Sequence, residues 1–326
     1  MKQFSRLTIA VGLAATGLAG SFSLIGGSSL FFHFSHPSGP ADSVRLPRTM
    51  LWAWERPEDL RFLNSPATGV AFLARTIELR QQTATKSAES RRVSAREFWF
   101  PDPAANLGVN LRPRLQPLRV AREGPLMAVV RLETSNDLWH RPLQPQSASA
   151  RDSLETEFYS DEQRQTVAAM IAAAARLPQV KALQIDFDAS QSEQPFYGAL
   201  LQDVRRLMPQ GMSLSITALT SWCTGESWLD QLPAGTIDEA VPMLFRMGPD
   251  GLEVASYVKS GREFRTVVCR GSLGVSTDED FSRAILSGVI GQRASAAKRI
   301  YVFSAKSWTK KDVSAVAAQV AKWHRD

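Results

Sequence analysis

Histidine and cysteine are scarce, at four and two in 326 residues. Two of the histidines, His33 and His36, fall in the N-terminal apolar region, so no zinc-type ligand cluster can be assembled. No acidic calcium-loop signature surrounds Asp186 and Asp188, and neither a metal nor a cofactor is expected. A Gly-x-Ser-x-Gly elbow is absent, which argues against serine-esterase chemistry. No glycine-rich phosphate loop follows the first strand, which counts against nucleotide-binding folds. Zinc-finger and RNA-binding signatures are missing as well. Nucleic acid is therefore not the expected partner, although the chain carries a net charge of +6 and has a pI near 9.5. The basic residues concentrate between Arg75 and Arg122 (Arg80, Arg91, Arg92, Arg96, Arg112, Arg114, Arg119), where they also read as a solvated surface. Such a balance favours acidic partners, an anionic glycan or a lipid surface.

Charge is also lacking at the N-terminus. Lys2 and Arg6 precede an apolar run from Leu7, and no charged residue follows before Asp42. A small-x-small site at Gly17-Leu18-Ala19 completes the pattern of a secretory signal. The apolar character resumes at Leu24-Ile25 and Leu30-Phe31-Phe32, so residues 7–34 are also long enough to anchor the chain in the inner membrane uncleaved. Either way the remainder is expected to be exported to the periplasm. The expected organisation is residues 1–34 as signal or anchor, 35–48 as a Pro/Gly/Ser linker and 49–326 as one domain. In an oxidising compartment Cys223 and Cys269 could bridge. Cys223 reads as the end of one strand and Cys269 as the prelude to another, at opposite ends of a barrel, so two buried free thiols are expected.

What the chain does have is a run of strands alternating with helices. The central one is Val180-Lys181-Ala182-Leu183-Gln184-Ile185-Asp186-Phe187-Asp188-Ala189. At a period of two, Leu183, Ile185 and Phe187 share one face while Gln184, Asp186 and Asp188 share the other. Two carboxylates and an amide on a core strand need polar partners. Further strands are expected at residues 50–55, 69–74, 125–133, 212–219, 239–246, 272–276 and 299–304. Residues 58–63 read as a short helix with acid in its first turn, Trp228-Leu229 as another, and 311–323 as a closing helix. Between the second and third strands no helical period appears. Short β-like pieces at 76–79, 98–100 and 115–120 suggest instead an irregular excursion of hairpins on the rim. The fold class is α/β, a (β/α)8 TIM-like barrel with that excursion replacing one helix; a doubly wound open sheet is the alternative.

In such a barrel the reactive groups converge on the rim at the strands' C-terminal ends. Candidates for acid, base or nucleophile are Asp186, Asp188, Glu279, Glu55 and Glu133. Candidates for contacting substrate are Arg246, Trp52, Trp54, Trp222, Asp278 and Trp308. Facing carboxylates among flat apolar rings suit glycoside chemistry, with one acid protonating the leaving oxygen and rings stacking on sugar faces. Each also has a structural reading: Asp186 and Asp188 bonded to Ser215 or Thr217, Asp278 capping a helix, Glu279 opposing a helix dipole, Arg246 neutralising the aspartates, the tryptophans filling a core.

The strand Gln-Ile-Asp-Phe-Asp-Ala (184–189) resembles an uncharacterised bacterial barrel family, domain of unknown function 3142. So do Leu-Ser-Ile-Thr-Ala-Leu-Thr-Ser-Trp-Cys (214–223), Asp-Glu-Ala-Val-Pro-Met-Leu-Phe-Arg-Met-Gly (238–248), Gly-Val-Ser-Thr-Asp-Glu (274–279) and Tyr-Val-Phe-Ser-Ala-Lys-Ser-Trp (301–308). The resemblance implies a barrel of glycoside-hydrolase type and supplies no activity. A more distant similarity is to family-eighteen chitinases, whose fourth strand ends in Asp-x-Asp-x-Glu with the glutamate as general acid. Asp186 and Asp188 match the aspartates, but Ser190 stands where the glutamate would be. Met243 and Phe245 resemble the methionine and tyrosine of the chitinase sixth strand, without the hydroxyl. Three functions remain open: an exported glycan hydrolase, a degenerate barrel that binds glycan without cutting it, and a membrane-tethered envelope scaffold.

Overall fold

The computed structural model describes residues 46–63, 65–80, 104, 107–135, 159–248, 251–289 and 297–322. Residues 1–34, expected to direct export, most of the expected linker and the expected β-like piece at 98–100 lie outside the described residues. In chain order the strands are β1 (Thr49–Ala53), β2 (Glu58–Leu60), β3 (Thr68–Arg80), β4 (Val109–Pro113), β5 (Leu118–Val120), β6 (Leu126–Ser135), β7 (Val180–Asp186), β8 (Ser213–Ala218), β9 (Glu239–Pro242), β10 (Ser272–Ser276) and β11 (Arg299–Phe303). Eight of them run parallel in the order β10-β11-β1-β3-β6-β7-β8-β9, and β4 lies antiparallel to β3. The sheet curls nearly to closure. Its two ends meet through a bridge between Met243 and Gly274, where the Leu244 N–H donates to the Gly274 carbonyl at 2.8 Å.

Six helices of the outer layer are described: α1 (Asp161–Ala174), α2 (Gln194–Leu207), α3 (Thr220–Thr224), α4 (Gly251–Lys259), α5 (Asp280–Leu286) and α6 (Lys310–Lys322). They follow β6, β7, β8, β9, β10 and β11. The start of α1 is a capping box: the Ser160 hydroxyl accepts from Gln163 N–H at 3.1 Å and the Gln163 amide oxygen accepts from Ser160 N–H at 2.9 Å. This satisfies two donors that a helix start otherwise leaves bare. Val167 and Ile171 of α1 and Tyr197, Leu200, Leu201 and Val204 of α2 are fully buried against the strands. Each apolar side chain removed from water there contributes roughly 1.5–3 kcal/mol.

Alternation along the strands separates two cores. Leu51, Leu183, Ile185, Ile216, Ile300 and Val302 point outward to the helices, whereas Met50, Trp52, Met127, Val129, Val241 and Tyr301 fill the barrel interior. The interior is threaded by polar groups that answer one another. Trp52 Nε1–H donates to Gln184 Oε1 at 2.8 Å, and Gln184 Nε2 donates to Ser215 Oγ at 3.0 Å. At the strands' N-terminal ends Glu239 accepts from Tyr301 OH at 2.6 Å, from Arg299 at 2.5 Å and from the Ser272 hydroxyl. Gly274 leaves room for the Trp52 ring, since a Cβ there would lie 2.9 Å from Cη2 of that indole.

Several sequence expectations need correction. Residues 58–60 form β2, paired with β5, rather than a helix. The segment has period two, with Glu58 and Leu60 buried and Asp59 exposed, which a helix cannot accommodate. Residues 76–79 are no separate piece but the continuation of β3 past an irregularity between Leu73 and Arg75. The sixth barrel strand ends at Pro242, and Arg246 takes a left-handed backbone conformation with φ 52°. Cys223 and Cys269 are not free thiols. They form a disulfide with Cα atoms 5.8 Å apart. Both residues lie on helical turns between strands, Cys223 on α3 and Cys269 in a 3-10 turn of residues 267–269. Thr266 draws those turns together by donating to the Cys223 carbonyl through its backbone N–H at 3.4 Å and to the Trp222 carbonyl through its hydroxyl at 3.3 Å.

Candidate active-site cleft

β7 delivers Asp186 and Asp188 to the C-terminal mouth of the barrel because its inward residues are the even-numbered ones. Both carboxylates line a cavity of about 270 Å³. Asp186 is mostly covered, at 15% side-chain exposure. It accepts from the Thr217 hydroxyl at 2.8 Å across the β7–β8 pair and lies 3.8 Å from Arg131 Nε. Burial, followed by the negative charge of Asp188, pushes its carboxyl up to about 6; Thr217 and Arg131 oppose that rise. Asp188 is exposed within the cavity and makes no hydrogen bond or ion pair among the described residues. The surrounding protein still desolvates its carboxyl enough to raise it, against the pull of Arg131.

The apolar wall comes from other strand ends. Phe245 and Phe303 stack with ring centroids 5.5 Å apart and planes 5° from parallel. Trp54 meets Phe303 edge-on at 6.4 Å, and the buried Trp52 lies 5.9 Å from Phe245. Trp54 is held by its backbone, because the Arg114 guanidinium donates to the carbonyls of Ala53, Trp54 and Arg56 at 3.1, 2.5 and 2.5 Å. Carboxylates beside an aromatic floor can bind a ring with one apolar face and several hydroxyls.

The sequence candidates divide. Asp186, Asp188, Trp52, Trp54 and Arg246 line the cavity, and Glu133 borders an adjoining one with both aspartates. Arg246 does not neutralise the aspartates: its guanidinium lies over the Phe303 ring at 5.1 Å. Glu279 is spent on the turn, accepting from the Arg246 backbone N–H at 3.0 Å. Asp278 is exposed and accepts from Ala305 N–H at 2.6 Å, joining the ends of β10 and β11. Glu55 is exposed on the turn after β1 and borders neither cavity. Trp222 is buried on the outer side, edge-on to Trp228 at 5.0 Å, because it sits on α3 and faces the outer core. Trp308 is buried too, its indole N–H donating to the Trp52 carbonyl at 3.0 Å. It locks β1 rather than facing a ligand.

Ser190 caps the turn after β7, its hydroxyl donating to Glu193 at 2.6 Å. Glu193 is buried and also accepts from Tyr159 OH at 3.3 Å, so it supplies no acid to the cleft. The cation that does face the aspartates is Arg131, which was not singled out in the sequence. It sits on the inward face of β6 two residues before Glu133, which it pairs with at 3.1 Å. Its guanidinium lies 5.9 Å from the Trp54 ring. Phe303 was missed similarly, although it stands two residues after the inward Tyr301. Among the described residues no group of three or more His, Cys, Asp or Glu is arranged to hold a metal ion, and no helix is long and apolar enough to cross a membrane.

No family model matches the chain, and no curated protein matches it. Among solved structures, the spore cortex-lytic enzyme SleL of Bacillus cereus aligns at 17% identity over 71% of this chain, with a TM-score of 0.35. The chain spans about half the length of the SleL structure, 51%. The chitinase domain of the spore coat protein CotE from Clostridium difficile aligns at 11% identity over 82% of this chain and 68% of that one, with a TM-score of 0.31. Likenesses of that size transfer no activity to this chain.

Proposed function

We propose that the cleft binds a bacterial glycan and hydrolyses a glycosidic bond in it by carboxylate chemistry. The observation that carries this reading is the pair Asp186 and Asp188, one covered and protonating near pH 6, the other exposed and unpartnered, beside a wall of aromatic rings. Asp186 supplies the proton to the leaving oxygen as the C–O bond breaks. Asp188 activates the water that adds to the anomeric carbon, or attacks that carbon itself before water releases the product. Arg131 keeps the ionised forms of both tolerable without sealing Asp188.

The second reading is a barrel that holds glycan without cutting it. Ser190 in the chitinase glutamate position favours it, as does the absence of Glu279 and Glu55 from the cleft. In both readings residues 1–34 direct export to the periplasm or tether the domain to the inner membrane through residues 7–34. A disulfide at Cys223–Cys269 suits such an oxidising compartment. A membrane-tethered scaffold has less in its favour, because the mouth is open.

The test is a screen of the purified protein and its Asp188→Asn variant against bacterial exopolysaccharides and cell-wall fragments. Release of new reducing ends by the wild type alone supports hydrolysis. Equal binding by both proteins without product supports the non-catalytic reading.

A further inference from the structure

We infer that the cleft has a second sugar position on the protruding ends of β3 and β6, and that it takes a sugar bearing an acidic group, met by Arg80. This deepens the glycan reading above and rests on it.

Arg131, Asp186 and Asp188 line two cavities, not one. The first runs toward Trp54, Phe245 and Phe303. The second runs the other way, over Glu78, Arg80, Glu133 and Thr134. This direction follows from strand length. β3 and β6 pair as far as Leu79–Thr134 and Arg80–Ser135, beyond the last β6–β7 partner at Arg131–Asp186. They form a ledge projecting past the aspartates. A chain of sugars with one unit against the aromatic wall therefore has its next unit on the ledge and the linkage between them over Asp188.

A count of partners indicates what the ledge recognises. Glu78 is paired with Arg112 at 2.7 Å and accepts from Asn110 at 3.1 Å. Glu133 is paired with Arg112 at 2.9 Å and with Arg131 at 3.1 Å. Asp186 is answered by Thr217 and Arg131. Two charges in that cavity are left without a hydrogen bond or ion pair among the described residues, the Asp188 carboxylate and the Arg80 guanidinium. Asp188 belongs to the linkage. Arg80 remains for the ledge unit, and a planar guanidinium suits a carboxylate or sulfate, which it can meet with two parallel N–H donors. Its backbone is pinned on both sides: the Arg80 N–H donates to Gly108 at 2.9 Å and its carbonyl accepts from Gln163 Nε2 at 2.9 Å. The side chain is exposed, so the cation is displayed from a fixed base.

The experiment measures binding by the purified full chain to defined ladders of one to six units. The anionic ladders are oligomannuronates and oligogalacturonates; the neutral one is chito-oligosaccharides. The expected result is that a uronate dimer binds more tightly than its monomer. Arg80→Gln should lose about tenfold of the dimer's affinity while binding the monomer like wild type. Trp54→Ala should weaken both. Arg80 is exposed and outside both cores, so its replacement leaves folding intact, which a thermal melt verifies. Equal affinity for monomer and dimer, equal uronate binding by Arg80→Gln, or length dependence confined to the neutral ladder would each overturn the inference and leave the glycan reading standing. Binding of no ladder would count against the glycan reading itself.

Discussion

The Thr217 hydroxyl donates to Asp186 Oδ1 at 2.8 Å from the neighbouring strand, and among the described residues no closer cation competes for that oxygen. A hydrogen bond to the ionised form favours it, so Thr217 restrains a carboxyl that burial has raised. Thr217→Val, which keeps the shape and removes the donor, is expected to move the Asp186 midpoint upward from about 6 by roughly one unit. A carboxyl-carbon NMR titration reads this directly, and an unmoved midpoint would show that the hydroxyl does not serve Asp186.

Asp186 also makes folding pH-dependent. Its carboxyl titrates near 6 in the folded protein against an ordinary value of 3.8, so between these values the folded state holds a proton that the unfolded chain has lost. The stabilisation from that proton is complete below the ordinary value and disappears as pH rises through about 6. Asp186→Asn should therefore be more stable than wild type at about pH 8, by about 3 kcal/mol, and roughly equal to it below about pH 4. Denaturant melts at the two pH values decide the matter. A variant less stable than wild type at the higher pH would contradict the assignment.

The disulfide closes a separation of 46 residues, and on chain-entropy grounds its removal costs about 4 kcal/mol. A Cys223→Ser/Cys269→Ser double variant, or wild type under strong reductant, should melt earlier. Because the bridge sits behind α3, which carries Thr220 and Ser221 of the cavity wall, ligand binding should weaken as well. Unchanged melting after verified reduction would refute this.

Gly274→Ala tests how closely the Trp52 indole crosses the closing seam of the barrel. The added methyl would sit 2.9 Å from that ring and 3.3 Å from the Pro242 carbonyl. The ring must shift, disturbing its bond to Gln184. A loss of about 1–3 kcal/mol is expected, with a changed near-UV spectrum. A neutral effect would mean that the seam is looser than described.

Much of the cleft could be read from alternation alone. Gln184, Asp186 and Asp188 face inward because every second residue of a strand must, and the row Ser215–Thr217 answers them as a neighbouring strand with the same period would. The same rule carried to β6 and β11 would have nominated Arg131 and Phe303; both stand on inward faces in plain sight. What alternation could not tell is where a strand stops. The reach of β3 to Arg80 depends on pairing with β4 and β6, which are far away in sequence. The misplaced tryptophans share another cause. Trp222 and Trp308 follow strand ends, but short helical or irregular segments rotate them away from the mouth, and a rotation over a few residues leaves no period to detect. Glu279 and Asp278 lie near the rim as expected, yet backbone amides of adjacent turns claim them first.

The lower half of the barrel is filled by Trp52, Gln184, Ser215, Tyr301 and Glu239, each bonded to another of the set. That plug makes the hollow a cup. A polymer bound as proposed could not thread through it from one side to the other; it would drape over the lip, dip one unit inside, and leave by the opening through which it came.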